Sequence, residues 1–282
     1  MHPILFRLGS YIVFSYTVSL IVGIAAGVWV SYRLAKERFP HPEIVLDAGF
    51  WVLLGGFLGG RIGYVVANWA YYVDHLGKAL NVREGGLNWH GALIGGGSAM
   101  ALWYVVRVGG ARAASARAAS TPGNHRSPVP DWRDLLDILA PGLALGCAFG
   151  WLGALLTGSA YGAEASGFMP PLSWLAADLP DIYGVDARRF MTQPLMIGVC
   201  LLLFGVLWAL RNRLPRGGSF ALYLLVYASA DFGAAFMRGD GMWRWGLWLW
   251  QWVALAEVCA AIALIVYVWT RPDQRVNSSQ IH

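Results

Sequence analysis

The apolar residues of this chain fall in long runs separated by short polar segments. Seven runs come close to the length of about 20 residues that a helix needs to cross a bilayer. They extend roughly from Tyr11 to Tyr32, Ala48 to Trp69, Trp89 to Val106, Leu135 to Leu156, Thr192 to Leu210, Ser219 to Met237 and Leu247 to Trp269. The pattern predicts an all-α, polytopic integral membrane protein with seven transmembrane helices, forming a single transmembrane domain over residues 1–282. The first run is too long, and too poor in small residues at its end, to be a removable signal peptide, so it counts as a span.

The polar segments give the orientation. Connections after spans one, three and five, with the C-terminal tail, hold Arg33, Lys36, Arg38, Arg107, Arg112, Arg117, Arg126, Arg133, Arg211, Arg213, Arg216, Arg271 and Arg275. The opposite side holds only Arg7, Lys78, Arg83, Arg188, Arg189, Arg238 and Arg244. Cations gather on the cytoplasmic side of membrane proteins, which predicts the N-terminus outside and the C-terminus in the cytoplasm. Two connections are long. Residues 107–134 read as a flexible cytoplasmic loop, and residues 157–190 as an extracytoplasmic cap or loop, either partly folded or built on an interfacial helix.

Composition sharpens the class. Of 282 residues, 57% are hydrophobic and 13% charged, well below the share of about 25% charged usual in soluble proteins. A net charge of +5 would suit nucleic acid if it formed one soluble basic face, but it is scattered among loops, and nucleic acid is not an expected partner. Cys147, Cys200 and Cys259 lie inside apolar runs without metal-type spacing, so they read as packing residues. No nucleotide motif, metal site or cofactor is expected.

Against this background, polar residues inside the spans stand out. Arg61 lies within span two, at a cost in lipid of roughly 2.5 kcal/mol or more unless it finds a polar cavity or an anion. His90 opens span three, Tyr16 lies early in span one, and Asp231 and Arg238 come late in span six. With N outside, all five fall in the outer layer of the membrane, their depths agreeing within one or two turns at about 1.5 Å rise per residue. Each also has a plainer reading. Arg61 and Asp231 form a structural ion pair, Tyr16 is an interfacial aromatic, and His90 is a cap. The alternatives are an anion site at Arg61 and a general base at His90. Asp47 and Asp137 begin rising helices and read as structural, while Glu257 sits mid-span with no partner evident from the sequence.

Glycines mark close helix contacts. Gly55, Gly59 and Gly63 recur every fourth residue, as do Gly142, Gly146 and Gly150. Each set leaves one helix face bare for another backbone.

Certain segments resemble the prolipoprotein diacylglyceryl transferase family. FLGGRIGYVVANWAYYVD and EGGLNWHGALIGG are similar to its second and third spans, with Gly59, Gly60 and Arg61 at its glycine-rich arginine motif and His90 to Gly95 at its His-Gly-Gly-Leu-Ile-Gly motif. HPILFRLGSYIVFSYT resembles the family's opening, with Tyr16 at its tyrosine, and RGGSFALYLLVYASADFGAAFMRGD resembles a late span. The resemblance implies a multi-pass enzyme of the bacterial plasma membrane, working without a cofactor. Such enzymes transfer diacylglycerol from phosphatidylglycerol to the lipobox cysteine of a preprolipoprotein signal peptide. His90 and Tyr16 would be catalytic, Arg61 and Arg238 would bind phosphatidylglycerol, and Asp231 would be a possible charge partner. The chain also departs from the family. Trp151 stands where the span-four motif has arginine, and Asp231 and Ala235 replace an arginine and a glutamate. These changes leave two readings open: a transferase impaired by the loss of two arginines, or an inactive relative that binds lipid or lipidated peptide.

Overall fold

The computed structural model describes residues 2–8, 11–81, 86–118, 130–165, 175–180, 184–239 and 243–270, with no side-chain description for residues 8, 11, 111–118, 243 and 244. Among the described residues, 7 helices are long and apolar enough to cross a membrane. The spans are α1 (Ser15–Arg38), α2 (Ile44–Ala67), α4 (Trp89–Ala118), α5 (Trp132–Thr157), α6 (Thr192–Leu210), α7 (Gly218–Ala235) and α8 (Leu249–Thr270), and a single turn, α3 (Trp69–Tyr72), follows α2. Large apolar side chains on their outer faces, such as Trp29, Ile62 and Leu202, are well exposed. A bilayer supplies the apolar surroundings these faces lack within the chain.

The structure adds short strands to the helical plan. Ile4–Leu8 (β1) pairs with Tyr11–Phe14 (β2), Ala176–Pro180 (β3) with Asp186–Phe190 (β4), and Trp243–Arg244 (β5) with Leu247–Trp248 (β6), all antiparallel. The first span therefore starts at Ser15, four residues later than its apolar run, because β2 uses the beginning of that run for pairing. Between α5 and α6 the described residues contain strands and no interfacial helix. At the other long connection, α4 runs to Ala118 through much of the stretch expected to be a loop, and α5 begins at Trp132. The remainder of that loop, residues 119–129, lies outside the described residues.

The chain divides into two compact units, one of residues 1–34 and 133–282, the other of residues 35–132. In the first, α1 and α5 meet through glycine. A Cβ on Gly27 would stand 2.7 Å from the Gly142 carbonyl oxygen, and one on Gly142 would stand 2.5 Å from that of Gly27. Ser19 Oγ donates to the Phe149 carbonyl at 2.6 Å beside this contact. Asp137, buried in α5, accepts the amide of Gly217 at 2.7 Å and that of Phe220 at 3.1 Å, so it caps α7 rather than its own helix. Gly217 enters α7 with φ +87°, a conformation glycine adopts without strain.

In the second unit, α2 and α4 pack backbone to backbone. A Cβ on Gly59 would lie 2.4 Å from the Gly91 carbonyl oxygen, and one on Gly95 would lie 2.3 Å from that of Gly55. Asp47 in the first turn of α2 pairs with Arg107 of α4, in addition to its place near the positive end of the α2 dipole.

Candidate functional site

The polar residues singled out in the spans are distributed over both units. Arg61 and His90 belong to the second. Arg61 lies on the last turns of α2 and is 6% exposed, and His90, the second residue of α4, is 4% exposed. One backbone bond, from the Asn88 amide to the Gly60 carbonyl at 2.9 Å, brings these two helix ends together. Asn88 caps α4: its Oδ1 accepts the Gly91 amide at 2.8 Å. An asparagine in that position satisfies a donor the helix cannot satisfy itself. The cap fixes the first turn of α4, and with it the backbone that carries the His90 imidazole.

Arg61 is surrounded by oxygens. Its Nε donates to the Ala79 carbonyl at 2.7 Å, and Nη2 donates to the carbonyls of Lys78 and Asn81, both at 2.9 Å. Nη1 donates to the Gly86 carbonyl at 3.1 Å, and the Tyr72 hydroxyl accepts from Nη2 at 3.4 Å. The rings of Tyr64 and Tyr72 flank the guanidinium at 5.7 and 5.5 Å, within reach of favourable cation–π attraction. These carbonyls and rings hold the guanidinium at the α2–α4 junction. Lys78, which donates to the Tyr71 hydroxyl at 3.1 Å, adds a second cation on the same connection.

Tyr16, Asp231 and Arg238 belong to the first unit. Tyr16 is 37% exposed at the start of α1, and its ring lies against Gly153 of α5, where a Cβ would come within 3.0 Å. Trp151, two residues earlier, donates its Nε1–H to the Tyr227 hydroxyl of α7 at 3.3 Å. Tyr227 stacks on Tyr223 with ring centroids 5.8 Å apart, and the Tyr223 hydroxyl lies 3.3 Å from Cys147 Sγ. Asp231 follows Tyr227 by one turn of α7 and is 6% exposed. The tryptophan is thus built into a chain of buried aromatic and hydrogen-bonding groups shared by α5 and α7. Glu257 is buried in α8.

Arg238, half-buried just beyond α7, makes an isolated backbone bridge with Gly162, and the Gly239 amide donates to the Tyr161 carbonyl at 3.0 Å. The neighbouring segment bridges Glu164 to Arg189 of β4. Arg189 is buried, donates to Glu164 Oε1 at 3.4 Å and lies 5.2 Å from the Tyr161 ring centre. This pairing inside the cap was not legible in the sequence, where Glu164 and Arg189 look like ordinary loop charges. The roles of Tyr72, Gly86 and Asn88 were also missed, although an asparagine directly before a helical run is a recognisable capping signal. The Arg244 side chain lies outside the described residues. Among the described residues, no group of three or more His, Cys, Asp or Glu is placed to hold a metal ion.

Comparison with known proteins gives this arrangement its context. A phosphatidylglycerol–prolipoprotein diacylglyceryl transferase of Symbiobacterium thermophilum is 27% identical over 99% of this chain and 97% of its own length. Proteins of the same name from Thermosynechococcus vestitus (28% identical over 90% of this chain and 85% of the relative) and Gloeobacter violaceus (29% over 91% and 88%) are similar to it as well. The sequence pattern of the prolipoprotein diacylglyceryl transferase family matches residues 3–267. With seven spans in place and a match running from β1 to the last turn of α8, the chain belongs to the prolipoprotein diacylglyceryl transferase family.

Proposed function

We propose that this protein transfers diacylglycerol from phosphatidylglycerol to the lipobox cysteine thiol of a prolipoprotein, in a bacterial plasma membrane, with its N-terminus outside and its C-terminus in the cytoplasm. The observation that carries the reading is the family match along nearly the whole chain, in a seven-span protein that keeps a buried arginine and a buried histidine at the α2–α4 junction. In the reaction the thiol proton passes to a base, the thiolate sulfur forms a bond to the terminal glyceryl carbon, and the bond from that carbon to the phosphate oxygen breaks. Glycerol phosphate leaves carrying the negative charge. His90 is the base, since an imidazole titrates near neutrality. Tyr16 orients the head group. Arg238 and Arg61 supply positive charge for the phosphate, and Asp231 is the carboxylate that modulates it. Arg61 directs donors to backbone carbonyls, and Arg238 is the candidate for direct contact with the phosphate.

A second reading rests on Trp151 and Asp231. Where the family resemblance leads one to expect cations, α5 presents an indole bonded to Tyr227 and α7 a buried carboxylate. Removing a single preorganised donor to a developing anion lowers rates by about 10²–10³-fold. A relative lacking two such cations binds lipid or lipidated peptide without turning it over.

Complementation separates the readings. The chain is expressed in cells depleted of their own transferase, and a reporter prolipoprotein is examined by mass spectrometry for a thioether-linked diacylglycerol. A lipidated reporter, lost on His90→Ala, is the expected result. An unmodified reporter at verified membrane expression would overturn the transferase reading in favour of the binding one.

A further inference from the structure

Residues 60 and 61 hold the segment joining α2 to α4 at several points among the described residues. Arg61 receives the carbonyls of Lys78, Ala79, Asn81 and Gly86, and the Gly60 carbonyl receives the Asn88 amide. Of the guanidinium's three nitrogens, each spends at least one N–H on a backbone carbonyl, and the planar fork that would clamp a phosphate oxygen pair is turned to the loop instead. Gly86 is fitted to this arrangement twice over. Its φ is +86°, and a Cβ there would stand 2.4 Å from the Tyr64 ring, the same ring that flanks Arg61.

We propose that Arg61 is a positioning residue: its guanidinium gathers the carbonyls of Lys78, Ala79, Asn81 and Gly86 into a fixed lip, and through that lip holds the cap of α4 and the ring of His90 in place. A lysine keeps the charge but offers a single ammonium, which reaches one or two of those carbonyls and leaves the rest unpaired. The role of His90 in this chain of effects rests on the transferase reading above. The ordering of the lip does not.

The test uses the full-length protein in lipid nanodiscs and the variants Arg61→Lys and Gly86→Ala. Hydrogen exchange is followed at the amides of residues 75–81 and 86–88, with α5 to α8 as the internal reference. Both variants are expected to exchange at least about tenfold faster in the lip with the reference helices unchanged. Where transfer is measurable, kcat falls by about tenfold or more while KM for phosphatidylglycerol moves less than about threefold. A phosphate ligand behaves oppositely. Arg61→Lys would leave lip exchange unchanged and act on KM, and Gly86→Ala, whose added methyl meets the Tyr64 ring, would loosen the lip without lowering kcat. That outcome would overturn the proposal. Gly86→Ala alters only a loop residue, so it reports on the lip even if Arg61→Lys fails to insert. The exchange readout stands whether or not the chain proves to be an active transferase.

Discussion

Asp137 shows how a single buried side chain can hold two helices in register. Its carboxylate oxygens take the amides of Gly217 and Phe220 at the start of α7, where the helix offers donors without internal partners and the positive end of its dipole. Asp137→Ala leaves the buried Gly217 amide without this acceptor, a loss of about 1–3 kcal/mol. Thermal unfolding of the detergent-solubilised protein should show the loss, with Asp137→Asn falling between the two because one acceptor oxygen survives. Trp151 makes a milder case. Trp151→Phe keeps most of the aromatic bulk and removes the Nε1–H bond to Tyr227, so the expected cost is only about 0.5–1.5 kcal/mol. Lipidation of the reporter should be unchanged, because the indole occupies a structural place between α5 and α7. A rise in transfer upon Trp151→Arg, by contrast, would show that a cation is still accepted there.

At the scale of elements, glycine decides which helices touch. The α2–α4 pair buries Gly55, Gly59, Gly91 and Gly95 against each other's backbone, and close approach of this kind supplies van der Waals contact where lipid gives no hydrophobic drive between helices. Gly59→Ala pushes a methyl to within 2.4 Å of the Gly91 carbonyl. The helices have to separate, with an expected destabilisation of about 1–3 kcal/mol. Gly97→Ala on α4 is the control, since nothing lies within 4 Å of its Cβ position. It should be neutral or slightly stabilising through better helix propensity. Equal effects of the two substitutions in unfolding measurements would mean that the glycine seam is incidental. The segment between α5 and α6 follows a different rule. Strand β4 and the segment around Glu164 share backbone bonds, and Arg189 with Glu164 adds a partly buried ion pair. Paired strands satisfy backbone groups that an irregular loop near the membrane would leave exposed.

The whole molecule has to be placed in a bilayer, and charge makes that placement testable. With the N-terminus outside, Gly77, between α3 and α4, faces the exterior, and Arg213, in the turn between α6 and α7, faces the cytoplasm. A cysteine introduced at position 77 should react with a membrane-impermeant maleimide in intact cells. One at position 213 should react only after the membrane is opened. The reverse pattern would invert the topology and put Arg61 and His90 on the cytoplasmic side, where a secreted prolipoprotein's processed cysteine is not presented. The family relation, at 27–29% identity to relatives that match almost end to end, fixes the scaffold at this scale while leaving the charge pattern of the spans to vary.

The sequence by itself determined the number and approximate limits of the spans, the family, and the glycine seams except at Gly150, whose Cβ position meets nothing within 4 Å. The reason is that partition into lipid is close to a sum over consecutive residues, and a run of about 20 apolar ones is decisive without reference to any neighbour. Tertiary structure decided what each polar group is paired with. Depth along a helix can be counted from the sequence, but azimuth and loop path cannot, so nothing in the linear chain directs the Arg61 fork to the carbonyls of Lys78, Ala79, Asn81 and Gly86, or Asp137 across to α7. The same holds for the start of α1: the apolar run from Tyr11 serves a strand as well as a helix, and only the pairing of β2 with β1 assigned its first four residues to the hairpin.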